Sequence, residues 1–122
     1  MTLDVRDHSP HIAVITMDNQ AKRNALSRDD LRDLGELWLR LQDGPHRCLI
    51  LTGAGEQSFC AGADLSGDLS AGPELSEMIH KGLLKYGAYR KPIIAAVNGD
   101  CAGGGVELLL STDIRASAPE AR

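Results

Sequence analysis

Two runs of small residues, forty positions apart, limit what this chain can become: Ser58-Phe59-Cys60-Ala61-Gly62-Ala63-Asp64-Leu65 and Asn98-Gly99-Asp100-Cys101-Ala102-Gly103-Gly104-Gly105-Val106-Glu107. Each follows a short β-rich stretch and leads toward a helical one. Both therefore read as strand-to-helix junctions. Residues this small leave backbone N–H groups unpaired and let a ligand oxygen come close.

The flanking segments fit an α/β pattern. Ile12 to Met17 reads as a strand ended by the turn Asp18-Asn19-Gln20. A helix is expected from near Ser27, a capping residue, with Asp29 and Asp30 in its first turn. Its stripe is Leu31, Leu34, Trp38 and Leu41, and Gly44-Pro45 closes it. Arg47 to Thr52 is a second strand, so apolar that burial on both faces is expected. A Gly/Ser/Ala-rich loop runs from Cys60 to Pro73. A helix is expected over about 73–89, with Leu75, Met78, Ile79 and Leu83 inward. Ile93 to Val97 is a third strand, residues from about Gly105 to Leu110 a short apolar helix, and Asp113 to Ala116 a fourth strand. Alternating strands and helices imply a parallel sheet with crossover connections in a single α/β unit.

Length and composition bound the rest. A chain of 122 residues holds one domain or part of a larger one. With only four aromatics (Trp38, Phe59, Tyr86, Tyr89), the core must be aliphatic. A net charge of −4, with no basic run longer than Lys22-Arg23, argues against nucleic acid as a partner. Cys48, Cys60 and Cys101 are an odd number without framework spacing, so reduced thiols are expected. No secretory signal is visible at Met1 to Asp7, and the longest apolar runs, such as Ile93 to Val97, are five residues. A cytoplasmic, soluble protein with no membrane contact is the expectation. The dinucleotide fingerprint, the P-loop and the G-x-S-x-G elbow are all absent from the sequence. His8 with His11, and His46 with Cys48, lack partner motifs, so no metal site is expected.

Ala102-Gly103-Gly104-Gly105 admits two readings: a flexible turn with a tight helix–sheet contact, or a loop whose amides face a cavity. Glu107 is either a first-turn acid that suits the helix dipole or, buried among apolar residues, a desolvated general acid or base. Ala61-Gly62-Ala63 is a surface turn or a second amide donor, and Asp64 is a helix cap or part of the site. Taken as a pair, the two loops can each give one N–H to the same oxygen, an oxyanion hole worth roughly 3 kcal/mol per donor in the transition state. Two amides and one acid are what enolate chemistry on a thioester needs.

These blocks resemble the enoyl-CoA hydratase/isomerase (crotonase) family. The likeness runs through Ile15-Thr16-Met17-Asp18, then Ala21-Lys22-Arg23-Asn24-Ala25-Leu26-Ser27, then Leu49 to Gly53 and Ser58 to Leu65. It continues through Lys91 to Gly99, Gly103 to Glu107 and Asp113 to Ser117. The resemblance implies a crotonase-like spiral of β-β-α units, with residues 1–122 as the N-terminal part of one domain, truncated before the last turn and the C-terminal helices. It implies that the amides of Ala63 and Gly104 form the oxyanion hole and that Glu107 is catalytic. Lys22, Arg23, Ala25, Ala61, Asp64, Leu65 and Ser66 would line the coenzyme A path, with Ser66 standing where many relatives carry a basic residue. A second catalytic Glu is expected beyond Arg122, since Glu120 falls too early.

The implied reaction is addition of water to the α,β-double bond of an acyl-CoA thioester. The resemblance favours this reaction through Glu107, because relatives that only move double bonds usually carry another residue at that position. No separate cofactor is expected, because coenzyme A belongs to the substrate. Homotrimers or hexamers are expected of full-length relatives. The alternatives are a non-catalytic or partner-dependent acyl-CoA-binding unit, or another reaction of the family, such as isomerisation, hydrolysis or decarboxylation.

Overall fold

A computed structural model describes residues 2–64, 73–87 and 89–122. Among these residues seven strands and three helices follow in the order β1 (Thr2–Ser9), β2 (Ile12–Asp18), α1 (Arg28–Gln42), β3 (Cys48–Gly53), β4 (Ser58–Cys60), α2 (Pro73–Gly82), β5 (Ile93–Val97), β6 (Asp100–Cys101), α3 (Gly104–Leu110) and β7 (Ile114–Ser117), with one 3-10 turn at Gln20–Lys22. The main sheet has the order β1-β2-β3-β5-β7, and β4 and β6 form a second sheet of two strands. Only β1 runs antiparallel to its neighbour; β2, β3, β5 and β7 are parallel. The strand pairs β3–β4 and β5–β6 each put one strand in either sheet and are each followed by a helix. This is the β-β-α repeat of the expected spiral.

The helix near Ser27 forms as expected. The Ser27 hydroxyl accepts from Asp30 N at 3.2 Å, and the Asp30 carboxylate accepts from Ser27 N at 2.8 Å. This reciprocal cap satisfies two otherwise orphaned donors. Leu31, Leu34, Trp38 and Leu41 are buried against the sheet residues Ala13, Ile15, Met17, Leu49, Leu51, Ile93 and Ala95. At the far end Lys91 donates to the carbonyls of Leu41 and, at 2.9 Å, Gly44. A cation on the last carbonyls offsets the negative end of the helix.

Four expectations need correction. β1 was not foreseen, although Leu3 and Val5 alternate with polar residues and pack on the core. β3 is buried on one face only: Leu49, Leu51 and Gly53 are inside, while Cys48, Ile50 and Thr52 are half-buried. The second helix ends at Gly82 rather than near Tyr89. A Cβ on Gly82 would lie 2.8 Å from the Leu31 carbonyl, and Leu84 adopts a left-handed φ of 57° that turns the chain away. The last helix is not enclosed: Leu108 is buried, but Val106 and Leu110 are exposed. Of the loop expected from Cys60 to Pro73, residues 65–72 lie outside the described residues.

Candidate active site

The site grows from the two-stranded sheet. β4 and β6 are parallel, with Ser58 opposite Asp100 and Cys60 opposite Cys101. From this shared point the chain twice runs through nearly the same residues, Cys60-Ala61-Gly62-Ala63 and Cys101-Ala102-Gly103-Gly104. A one-residue register shift after Ser58 brings Cys60 opposite Cys101, and the matching tetrads that start from this pair carry the fourth residues, Ala63 and Gly104, to the same place.

Neighbouring main chain fixes the first tetrad. Ala61 N donates to Arg23 O at 3.1 Å, Leu26 N to Gly62 O at 2.7 Å and Asp64 N to Leu26 O at 2.7 Å. Leu26 and Ala63 thus form a parallel bridge. In extended chain successive peptide groups point to opposite sides. With those of Gly62 and Asp64 turned to Leu26, the Ala63 N–H faces away, and it has no acceptor among the described residues.

The second tetrad ends in a tighter turn. Ala102 N donates to Cys60 O at 3.2 Å, and Gly103 then adopts φ 53° and ψ −126°, open to glycine alone. Gly105 N turns back to Ala102 O at 2.9 Å, and Val106 N to Gly103 O at 3.0 Å. Gly104, first in α3, keeps its N–H without an acceptor among the described residues, as first-turn amides do. The two free amides are neighbours: a Cβ on Gly104 would stand 3.4 Å from Ala63 N, and one on Gly62 would stand 3.0 Å from Gly104 N. Gly105 permits this approach, since a Cβ there would fall 2.1 Å from Cys60 O.

Two asparagines pin the junction. Asn24 is buried, with a left-handed φ of 58°. Its side chain accepts from Asn19 N at 2.8 Å and donates to Ala54 O at 3.0 Å and Ser58 O at 2.8 Å. Asn98 accepts from Gly53 N at 3.0 Å and donates to Gly55 O at 2.8 Å and Ser58 O at 3.0 Å. The Ser58 hydroxyl donates to Arg23 O at 2.7 Å. The sequence does not announce this task; the available signal is an asparagine followed by a small residue, Ala25 or Gly99, at a turn.

Burial governs the thiols at the root of the loops. It pushes the Cys60 thiol from 9.0 up to about 11, partly opposed by a hydrogen bond from the Gly62 backbone and helped by the neighbouring Cys101. Cys101 is raised as well, by burial. Both therefore stay protonated near neutrality.

Glu107 departs from expectation. It lies one turn along α3 from Gly104, with its side chain 46% exposed rather than enclosed by apolar residues, and pairs with Lys85. Lys85 was not anticipated. Of the residues expected along the coenzyme A path, Lys22 and Asp64 come together in an ion pair of 2.8 Å, while Ala25 is buried and Ala61 half-buried. The Arg23 side chain is exposed, and its carbonyl receives Ala61 N and the Ser58 hydroxyl. Leu65 and Ser66 lie outside the described residues. Among the described residues no group of three or more His, Cys, Asp or Glu is placed to hold a metal ion. No described helix is long and apolar enough to cross a membrane.

Comparison with known proteins agrees with this architecture. The family model described as enoyl-CoA hydratase/isomerase matches residues 7–122. The chain belongs to that family. It is 36% identical over 130 residues to an (E)-benzylidenesuccinyl-CoA hydratase of Thauera aromatica, covering 100% of this chain and 48% of the relative. It is 43% identical over 111 residues to a mevalonyl-coenzyme A hydratase of Aspergillus fumigatus, covering 87% and 41%. An enoyl-CoA hydratase structure from Bacillus anthracis superposes with a TM-score of 0.87 at 34% identity, covering 99% of this chain and 49% of the other. The chain spans about half the length of these relatives.

Proposed function

We propose that this chain carries the thioester-binding part of an enoyl-CoA hydratase site. The observation that carries the reading is the pair of adjacent amides at Ala63 and Gly104, without acceptors among the described residues and held by matching tetrads at the ends of parallel strands. In this reading both N–H groups donate to the carbonyl oxygen of an α,β-unsaturated acyl-CoA. As water adds at the β-carbon, charge moves onto that oxygen, and the two donors stabilise the enolate. Glu107 acts as one member of the acid/base pair, and a second carboxylate comes from outside these 122 residues. Coenzyme A belongs to the substrate, so no further cofactor is part of the proposal. The exposed Arg23, and Lys22 beside Asp64, supply positive charge for the nucleotide phosphates. Trimeric or hexameric assembly of the full-length protein is part of the same reading.

Loss of the crotonyl-CoA enone absorbance tests it. Turnover is expected from a polypeptide that extends these residues to the length of the relatives, and little or none from the 122 residues alone. In the extended form Glu107→Gln is expected to reduce turnover by at least about 10²-fold with acyl-CoA affinity preserved. Unchanged turnover would remove Glu107 from the mechanism. A second reading, an acyl-CoA-binding unit that needs a partner to react, is favoured by the exposure of Glu107, Val106 and Leu110 on α3. It predicts binding without turnover in every form.

A further inference from the structure

The turn after α2 touches α3 along a single stripe. A Cβ built on Gly104 would lie 3.5 Å from a methyl of Leu83, Lys85 pairs with the Glu107 carboxylate, and the Ser111 hydroxyl donates to the Leu83 carbonyl at 2.9 Å. Positions 104, 107 and 111 follow helical spacing, so one short turn grips the face that bears both the Gly104 amide and the carboxylate. That turn is built for the purpose. Gly82 presses against Leu31, Leu84 takes its left-handed φ, and Lys85 N donates back to His80 O at 2.8 Å. A helix continued to Tyr89 would carry Lys85 off this face.

We propose that Lys85 is a positioning residue, whose ammonium group holds the Glu107 carboxylate in place beside the two amide donors. The proposal rests on the reading of Glu107 as an acid/base group and adds the residue through which its placement is achieved. Glu107 is half-exposed and its other carboxylate oxygen has no hydrogen-bond partner among the described residues. The Lys85 pair is thus its one side-chain tether there. Other lysine pairs nearby serve different ends: Lys81 joins Glu77 within the same helix, and Lys22 joins Asp64 on the opposite loop. Only Lys85 links α3 to the α2 turn by charge among the described residues. A carboxylate free to swing among rotamers spends little time at the reacting atoms, and small misplacements of a catalytic group lower the rate steeply.

The test compares Lys85→Met, Lys85→Arg, Glu107→Gln and the Lys85→Met/Glu107→Gln double variant in the active, extended polypeptide, with Lys81→Met as a surface control. Lys85→Met is expected to lower kcat about tenfold with KM and Tm near those of the unaltered protein. Lys85→Arg is expected to restore most of the rate, and Lys85→Met to cost nothing further once Glu107 is Gln. Unchanged kcat in Lys85→Met, with Glu107→Gln still impaired, overturns the assignment of Lys85 and leaves the acid/base reading standing. A rise in KM alone also overturns it, because Lys85 would then touch substrate. Full activity of Glu107→Gln overturns the underlying reading, and the role of Lys85 with it.

Discussion

The amide donors and the carboxylate are one helical turn apart, yet they are held by different means. Ala63 and Gly104 are fixed by main chain on every side: a parallel bridge to Leu26, the β4–β6 pairing and glycines at contact distance from carbonyl oxygens. Glu107 stands at the surface, tethered by one ion pair. The proposed donors are thus held by main-chain contacts rather than by side chains. The acid is adjustable, and its environment depends on whatever lies over α3. Within the proposed site, the part assigned to stabilise charge is built by backbone and the part assigned to move a proton by side chains.

The comparison breaks first at Gly105. Gly105→Ala puts a methyl into the Cys60 carbonyl and is expected to cost at least about 4 kcal/mol, read by denaturant unfolding. A near-neutral result would mean that the close approach of α3 to β4 is not there. Next is Asn24→Ala, expected to cost about 3 kcal/mol. It leaves the part-buried Asn19 N–H and Ala54 carbonyl and the buried Ser58 carbonyl without their side-chain partner, and puts alanine, which tolerates the left-handed region less well than asparagine, at φ 58°. A loss below about 1 kcal/mol would free the donor loop from the pin assigned to it.

Alkali offers a third handle. The folded Cys60 thiol holds its proton up to about 11, whereas the unfolded chain releases it near 9.0. Stability from this group is complete below pH 9.0 and is lost as pH rises through about 11, on the order of 2 kcal/mol. Tyr89, pushed from 10.0 up to about 12 chiefly by burial, adds a loss of the same sign at higher pH. A Cys60→Ala variant should show a shallower decline above pH 9, measured as the urea midpoint against pH; an identical decline would place the titration elsewhere. The smallest effect belongs to the carboxylate. Glu107→Gln is expected to change stability by less than about 0.5 kcal/mol, because the side chain is half in water. A large loss would show that Glu107 supports the fold as the backbone around Ala63 and Gly104 does.

What was legible in the sequence was local. The Ser27–Asp30 cap, the stripe from Leu31 to Leu41 and the glycines around positions 62 and 104 each announce themselves within a few residues. β4 and β6 do not, since three-residue and two-residue strands carry no periodicity and exist only by pairing with each other. The end of α2 was hidden for the same reason: Gly82 stops the helix by meeting Leu31, fifty-one residues earlier. Lys85 depends on that turn and so could not be foreseen. Glu107 was expected to be enclosed because Val106, Leu108, Leu109 and Leu110 surround it in sequence, yet only one face of α3 meets the core.

Gly104 offers the most direct test of the paired amides. It is the first residue of α3, where proline is well accommodated, so Gly104→Pro deletes the proposed donor while sparing the helix. The quantity to measure is the infrared carbonyl stretch of crotonyl-CoA labelled with carbon-13 at the thioester, free and bound. A polarised carbonyl absorbs at lower frequency on the unaltered protein than in water, and Gly104→Pro should return most of that shift at unchanged Tm. Equal frequencies on the two proteins, with ligand bound to both, would contradict the assignment of Ala63 and Gly104 as the groups that hold the thioester oxygen.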